Sequence, residues 1–88
     1  MSAKDKSPVL TLYHMPTCPY CVKTRRSIKK MQLKLELKDT YRNTRNRQEL
    51  INGGGKHPVP CLRIVETKGK VRWLYESYDI IKFLQTKV

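Results

Sequence analysis

The sequence predicts an α/β fold in which one mixed four-stranded sheet carries helices on both faces, in the order β-α-β-α-β-β-α. Apolar runs and alternating patterns indicate four short strands, and apolar residues three and four apart indicate three helices. A helix joins the first two strands, which predicts a parallel pair with a right-handed crossover. A short link joins the last two strands, which predicts an antiparallel hairpin. We therefore expect residues 1–88 to form a single domain.

The first half of the chain reads as two strands joined by a helix. Residues 1–8 are polar and expected to be disordered, Val9 to Tyr13 forms the first strand, and His14 to Thr17 makes the turn. Leu33 to Leu37 alternates leucines with charged residues, which predicts an edge strand with one well-buried face. The helix between them runs from about Tyr20 to Met31. Its inward face is predicted to contain Cys21, Thr24, Ile28 and Met31.

The second half begins with a short helix. It should run from Thr44, a plausible N-cap, to about Ile51, where the run Gly53-Gly54-Gly55 stops it. The hairpin strands follow, and the last helix begins near Ser77. The predicted strands are Pro60 to Val65 and Val71 to Leu74, and the inward residues of the last helix are Ile80, Ile81 and Leu84.

The charge is strongly positive, with 19 Lys and Arg against 7 Asp and Glu and a net charge of +12. Such a charge attracts anionic partners, among which nucleic acid is one candidate. The basic residues form no continuous tract, however, but lie in three separate groups. A solvated basic surface is therefore the favoured interpretation, and nucleic-acid binding is not expected. The three groups are Lys23 to Lys30, Arg42 to Arg47 and Lys68 to Arg72.

The sequence also predicts a cytoplasmic protein without a membrane anchor. Its N-terminus lacks the apolar stretch of a signal peptide, and no run approaches the ~20 apolar residues of a membrane span. Three cysteines are too few, and odd in number, for a secreted disulfide framework. A reversible dithiol is more plausible in the cytoplasm than a structural disulfide.

The most informative motif is Cys18-Pro19-Tyr20-Cys21, which stands between the first strand and the first helix. A strand, a short turn and a C-x-x-C motif at a helix start form the redox arrangement of thioredoxin-like folds. The unpaired N–H groups of the helix and the basic Lys23, Arg25 and Arg26 favour a thiolate. We expect Cys18 to be the ionised nucleophile and Cys21 to be the more buried partner.

A zinc half-site is the main alternative interpretation of the motif. A structural zinc site needs about four ligands. Beyond the pair, the chain offers Cys61, His14 and His57, none of them in a second close-spaced pair. No metal is therefore expected, and the two histidines are interpreted as turn residues. Two interpretations of Cys61 stay open: a small core residue, or a regulatory thiol within reach of the motif.

From about Val9 to Leu84 the chain resembles glutaredoxin. The resemblance rests on Tyr13 to Cys21, on Val59-Pro60 and on Leu74 to Ile81. It implies a thioredoxin-like fold, a cis bond before Pro60, and a glutathione-dependent thiol-disulfide oxidoreductase that supports cell redox homeostasis. Glutathione would be a co-substrate, and no cofactor would be bound. The implied partners are disulfide-bonded or glutathionylated proteins, on which a monomer acts.

The resemblance also implies a glutathione site around Cys18. Free N–H and C=O groups of Val59, beside the cis Pro60, would pair with glutathione like one residue of an added strand. At the start of the last helix, Ser77 and the N–H of Tyr78 would take the α-carboxylate. The α-ammonium would go to Glu76 or Asp79. Tyr20 completes the set, and the cation for the glycyl carboxylate is left open among Arg42, Arg45 and Arg47.

Several positions depart from the glutaredoxin pattern. Tyr75 and Glu76 replace a pair of glycines, Met15 stands where many members have lysine, and Pro58 replaces the usual threonine. Glu76-Ser77 looks more like the glutathione-binding segment of glutathione S-transferases, although those enzymes add a helical second domain that is not expected here.

Two competing classes of function follow from the same residues. One is a thioredoxin-type reductant fed by a flavoprotein reductase, against which the Glu76-Ser77 segment argues. The other is an iron–sulfur or nucleic-acid binding module on the same fold. Iron–sulfur assembly in the glutaredoxin family favours a single-cysteine site, and Pro19 of this dithiol site argues against an iron–sulfur carrier.

Overall fold

A computed structural model describes residues 8–56 and 58–87. The predicted order of strands and helices is confirmed. Of the segment expected to be disordered, residues 1–7 lie outside the described part, and Pro8 is half-buried. The elements are β1 (Val9–His14), α1 (Pro19–Lys30), β2 (Glu36–Asp39), α2 (Thr44–Gly54), β3 (Cys61–Val65), β4 (Val71–Leu74) and α3 (Ser77–Gln85).

The four strands form one sheet in the order β2-β1-β3-β4. The β1–β2 pair is parallel, and β3 runs antiparallel to both of its neighbours. Leu12 is opposite Leu37 on one side and Leu62 on the other. The carboxyl ends of β1, β2 and β4 and the amino end of β3 therefore meet at one end of the sheet. We call it the Cys18 end, because the loop from β1 to α1 begins there.

The two faces of the sheet are covered differently. One face carries α1 and α3 over an aliphatic core of Leu12, Ile28, Leu62, Ile64, Ile80 and Leu84. The other face carries α2 over a smaller group, which we call the aromatic cluster. Helices therefore lie on both faces, as predicted. The aromatic cluster consists of Tyr13, Leu50 and Cys61, with Val59, Trp73 and Tyr75 packed against them.

The second strand differs from the prediction. It begins at Glu36 rather than Leu33, and Leu37 is 48% exposed. Leu33 and Leu35 pack on the aliphatic core from the loop before the strand. The expected single well-buried face is wrong because Leu37 lines an open groove beside α1. The edge position of this strand is confirmed.

Helix α2 also differs at both ends. Its N-cap is Asn43 rather than Thr44, because the Asn43 side chain accepts hydrogen bonds from the N–H groups of Arg45 and Asn46, at 2.9 and 3.2 Å. The helix includes the first two residues of the glycine run and ends at Gly55, whose φ of 81° suits glycine.

The first two glycines of that run have a packing role that the sequence did not reveal. A Cβ at Gly53 would collide with the ring of Trp73, and a Cβ at Gly54 would collide with the hydroxyl of Tyr75. Glycine therefore lets these two aromatic side chains lie directly against the backbone of α2.

Candidate active site

Residues 15–18, which we call the Cys18 turn, connect β1 to α1 at the Cys18 end of the sheet. Cys18 is the N-cap of α1 and has an extended backbone conformation. Its N–H donates to the carbonyl of Met15 at 3.2 Å, and its carbonyl accepts the N–H of Val22 at 2.8 Å. Pro19 follows at the first helical position, where its missing N–H costs nothing. The sulfur of Cys18 is thus held at the start of a helix and is only partly buried.

The surroundings of Cys18 favour its thiolate. Partial burial opposes ionisation, but hydrogen bonds from the backbone N–H and thiol of Cys21 and from the N–H of Tyr20 stabilise the anion. The charge of Arg25 acts in the same direction. Together these contacts hold the pKa of Cys18 below the ordinary value of a thiol. Cys18 therefore has the chemistry of an attacking nucleophile.

Cys21 has the opposite character. It is fully buried, and its sulfur accepts the N–H of Met15 at 3.4 Å. Burial raises the pKa of Cys21 to about 11, and its interaction with Cys18 adds to the rise. At neutral pH one thiol of the pair is poised to ionise while the other stays protonated.

Arg25 is the functional side chain that the sequence described least well. It was grouped with Lys23 and Arg26 as a general source of positive charge, but those two lie on the outward side of α1. Arg25 instead turns back to the loop, where it bonds the ring of His14 and the carbonyls of Met15 and Pro16. The spacing could have indicated this orientation, since Arg25 follows Cys21 by four residues and so lies on the same helix face.

The segments predicted to bind glutathione lie at the same end of the sheet. The Val59–Pro60 peptide bond is cis, as predicted, and it immediately precedes β3. Glu76 follows β4 and is the N-cap of α3, which begins at Ser77, as predicted. The structure thus brings to one end of the sheet Cys18, Cys21 and all seven of the other predicted residues, namely Tyr20, Val59, Pro60, Glu76, Ser77, Tyr78 and Asp79.

These side chains differ in exposure. Tyr20 is 64% exposed and Tyr78 is 71% exposed, while Val59 and Ser77 are half-buried. Pro60 is buried. The exposed tyrosines, together with the exposed Glu76 and Asp79, leave this end of the sheet accessible to a ligand.

The structure distinguishes among the three arginines considered for the glycyl carboxylate. All three are exposed on the segment that leads into α2 and on its first turn. Arg47 alone of them lines a cavity of about 320 Å³ that also includes Met15, Thr40 and Tyr41. Since Met15 belongs to the Cys18 turn, Arg47 is the one of the three that shares a cavity with this turn.

Cys61 lies near the site, but its burial disfavours the reactive thiolate. It is fully buried in the aromatic cluster, directly opposite Tyr13 in the sheet. Burial raises the pKa of Cys61 to about 12, and a hydrogen bond with Tyr75 only partly offsets this. These surroundings fit the core-residue interpretation of Cys61 rather than the regulatory one.

The two histidines have separate outcomes. His14 is the buried last residue of β1, and its pKa is lowered by burial and by the charge of Arg25. It is therefore a strand residue that contacts the turn. His57 lies outside the described residues.

The sequence matches the family model described as "Glutathione S-transferase, N-terminal domain" over residues 12–88. The chain belongs to this family. A comparison with curated proteins found no significant match. The family and the fold indicate a redox or glutathione-related role. The match is to the glutathione S-transferase domain and not to glutaredoxin, the family that the sequence resembles.

Solved structures share the thioredoxin-like fold of this glutathione S-transferase N-terminal domain. A thioredoxin-like protein is 23% identical with a TM-score of 0.67, and the alignment covers 90% of this chain and 99% of that one. Thioredoxin f from spinach chloroplast is 21% identical with a TM-score of 0.67, covering 96% of this chain and 76% of that one.

A third neighbour is maleylacetoacetate isomerase from Anaeromyxobacter dehalogenans, solved with dicarboxyethyl glutathione and citrate bound in its active site. It is 20% identical with a TM-score of 0.70, and the alignment covers 93% of this chain. The chain spans only 38% of the length of that isomerase.

The described residues of this family member show neither a metal site nor a membrane span. Across residues 8–56 and 58–87, no three His, Cys, Asp or Glu side chains are placed to hold a metal ion together. Within the same ranges, no helix has the length and apolar character needed to cross a membrane.

Proposed function

We propose that the protein is a glutathione-dependent thiol-disulfide oxidoreductase that reduces glutathione mixed disulfides and protein disulfides. The observation that supports this most is the contrast within the C-x-x-C pair. Cys18 is accessible with a lowered pKa, whereas Cys21 is fully buried with its pKa raised to about 11. A dithiol built in this way has one attacking thiolate and one protonated thiol held in reserve.

The first mode acts on a glutathione mixed disulfide. The Cys18 thiolate attacks the glutathione sulfur, the substrate sulfur leaves with the bonding electron pair, and that thiolate takes a proton from water. Cys18 is then joined to glutathione through a new disulfide. A second glutathione thiolate attacks the glutathione sulfur of this disulfide, which releases glutathione disulfide and restores the Cys18 thiolate.

The second mode acts on a protein disulfide. Cys18 attacks one substrate sulfur, and a mixed disulfide forms while the other substrate sulfur leaves as a thiol. Cys21 then loses its proton and attacks the sulfur of Cys18, which frees the reduced protein. Two glutathiones reduce the resulting Cys18–Cys21 disulfide and are themselves oxidised to glutathione disulfide.

Glutathione would lie across the Cys18 end of the sheet. The backbone N–H and C=O of Val59 suit its central cysteine unit, and the start of α3 at Ser77 and Tyr78 suits the carboxylate of its γ-glutamyl end. Glu76 or Asp79 would take the ammonium, and Arg47 would take the glycyl carboxylate. In support, glutathione ligands occupy the active site of a structural neighbour that shares this fold.

The direct test is turnover of a glutathionylated small thiol, with glutathione, glutathione reductase and NADPH. We expect turnover by the wild-type protein. We also expect Cys21→Ser to retain it, because glutathione replaces the resolving thiol, while most reduction of a protein disulfide is lost. If Cys21→Ser abolished both activities and Cys18→Ser spared either one, the roles of the two cysteines would be reversed.

Each competing function predicts a different observation. A thioredoxin-type reductant would turn over with NADPH and a flavoprotein reductase but not with glutathione. A nucleic-acid binding protein would show steep salt dependence in binding, and an iron–sulfur carrier would be coloured when purified. We propose the glutathione-dependent activity for a cytoplasmic monomer.

A further inference from the structure

We infer that Arg25 is a positioning residue for Cys18, because its guanidinium ties the end of β1 and the Cys18 turn to helix α1. Arg25 then sets the conformation of the Cys18 turn and the ionisation of the Cys18 thiol. The consequence of this role for turnover rests on the proposed function.

The guanidinium of Arg25 bonds three consecutive residues. Its Nη1 lies 2.9 Å from Nδ1 of His14 and 3.4 Å from the carbonyl oxygen of Met15, and its Nη2 donates to the carbonyl of Pro16 at 3.0 Å. Arginine has only donors, so Nδ1 of His14 is the acceptor nitrogen of a neutral ring. A planar fork of this kind fixes orientation as well as distance.

Met15 links this fork to both cysteines. Its carbonyl accepts from Arg25 and also from the N–H of Cys18, at 3.2 Å. Its N–H donates to the sulfur of Cys21 at 3.4 Å. The peptide groups on either side of Met15 therefore contact the Arg25 guanidinium, the backbone N–H of Cys18 and the sulfur of Cys21, and a shift of Met15 would move all three contacts together.

The other side of His14 is also fixed. Its carbonyl accepts the N–H of Thr40 at 2.9 Å and the Thr40 hydroxyl at 3.3 Å. The charged groups that act on its ring are Arg25 from α1 and Asp39 from β2. The strand end is thus held to β2 through its backbone and to α1 through its side chain, and Arg25 supplies the second attachment.

The charge of Arg25 and its fork make separable contributions. The charge contributes to the lowered pKa of Cys18. The fork holds Met15 and Pro16 where Cys18 meets the first N–H groups of α1. Lysine at this position would keep the charge but lacks the planar fork, and methionine would remove both.

The test compares three variants, Arg25→Met, Arg25→Lys and the matched control Arg26→Met. Arg26 is adjacent, exposed and carries the same charge. The readout is the rate of Cys18 alkylation by iodoacetamide against pH, which reports the thiolate and requires no glutathione. A melting curve is recorded for each variant.

We expect Arg25→Met to move the midpoint of the alkylation profile up by about one pH unit, because this variant loses both the charge that favours the thiolate and the fork that holds the turn. Below the midpoint, alkylation should slow about tenfold, since one unit of pKa is a factor of ten in the ionised fraction. Arg25→Lys should recover less than half of the shift, and Arg26→Met should match the wild type.

Two results would overturn the inference. One is an Arg25→Met profile that coincides with that of Arg26→Met. The other is full recovery by Arg25→Lys, which would mean that charge alone acts and the fork positions nothing. If Arg25→Met does not fold, the lysine variant decides between these outcomes. Failure of the proposed function would show separately. The wild-type protein would then not turn over a glutathionylated thiol, while the alkylation profiles of the variants would still differ from the wild type as described.

Discussion

The Cys18 turn and the aromatic cluster lie side by side at one end of the sheet, and they place sulfur in opposite environments. In the turn, Cys18 is partly exposed and receives hydrogen bonds at the start of a helix. In the cluster, Cys61 is sealed among Tyr13, Leu50 and the side chains packed on them. The two thiols lie at the same end of the sheet, so the difference in ionisation comes from burial, hydrogen-bond donors and the charge of Arg25.

Replacing each cysteine by serine should separate the two regions most strongly. Cys18→Ser should reduce turnover of a glutathionylated thiol to background, since a serine hydroxyl is not ionised at neutral pH and cannot form the mixed disulfide. Cys61→Ser should keep turnover but lower the melting temperature by several degrees, because burying a hydroxyl in place of a thiol costs ~1–3 kcal/mol. Loss of turnover in a folded Cys61→Ser protein would contradict the contrast.

Alkylation against pH should show the same contrast without mutation. A thiol with a pKa of about 12, as burial gives Cys61, is ionised to only ~10⁻⁵ at pH 7. The pKa of Cys18 is lowered, so half of its thiol is ionised at a lower pH than for an ordinary thiol. Mass spectrometry of protein treated briefly at pH 7 should find label on Cys18 at least 10³-fold faster than on Cys61. Comparable labelling of both thiols in the folded protein would count against this difference.

Removing a charge beside the turn should affect ligand recognition rather than folding. A charge-assisted contact is worth about 1.5–3 kcal/mol, so Glu76→Ala should raise KM for a glutathionylated substrate roughly 10- to 150-fold. The rate with a small disulfide that lacks the γ-glutamyl group should change little. The matched control is Glu36→Ala, which removes an exposed carboxylate from the opposite end of β2. Equal losses with both substrates, without loss of fold, would argue against a γ-glutamyl site here.

A methyl group added to α2 should disturb the cluster and spare the turn. Gly54→Ala would bring a Cβ against the hydroxyl of Tyr75. Overpacking costs ~1–3 kcal/mol, and the better helix propensity of alanine returns less than ~1 kcal/mol, so the free energy of unfolding should fall by about 1–2 kcal/mol. Urea unfolding measures this. In a Tyr75→Phe background the added cost should largely disappear; a cost unchanged there would mean that the hydroxyl is not the obstacle.

The sequence predicted the features that depend on local pattern. The order of elements and the C-x-x-C motif at a helix start follow from spacing and residue type, and the cis bond before Pro60 was implied by the resemblance to glutaredoxin. Details that depend on distant partners were missed. The packing role of Gly53 and Gly54 requires Trp73 and Tyr75, which come about twenty residues later and contact α2 only in the folded protein.

The same distinction applies to the site. The ionisation of Cys18 was predicted from its helix position, because N–H donors at a helix start are a local feature. The direction of the Arg25 side chain was missed, because a charge pattern does not show which carbonyls a loop presents. Asn43 replaced Thr44 as N-cap for a similar reason: both residue types suit the position, and only the entry angle of the chain selects one.

The strand order has a consequence for how the protein is made. β1 is synthesised before the other three strands of this sheet, yet it is central, and its neighbour β3 is more than forty residues further along the chain. Pairings of such high sequence separation form late, because the intervening loop must close first. On the ribosome both cysteines of the motif therefore emerge well before β3 can complete the sheet around their turn. The buried environment that keeps Cys21 protonated is therefore complete only after the second half of the chain has been synthesised.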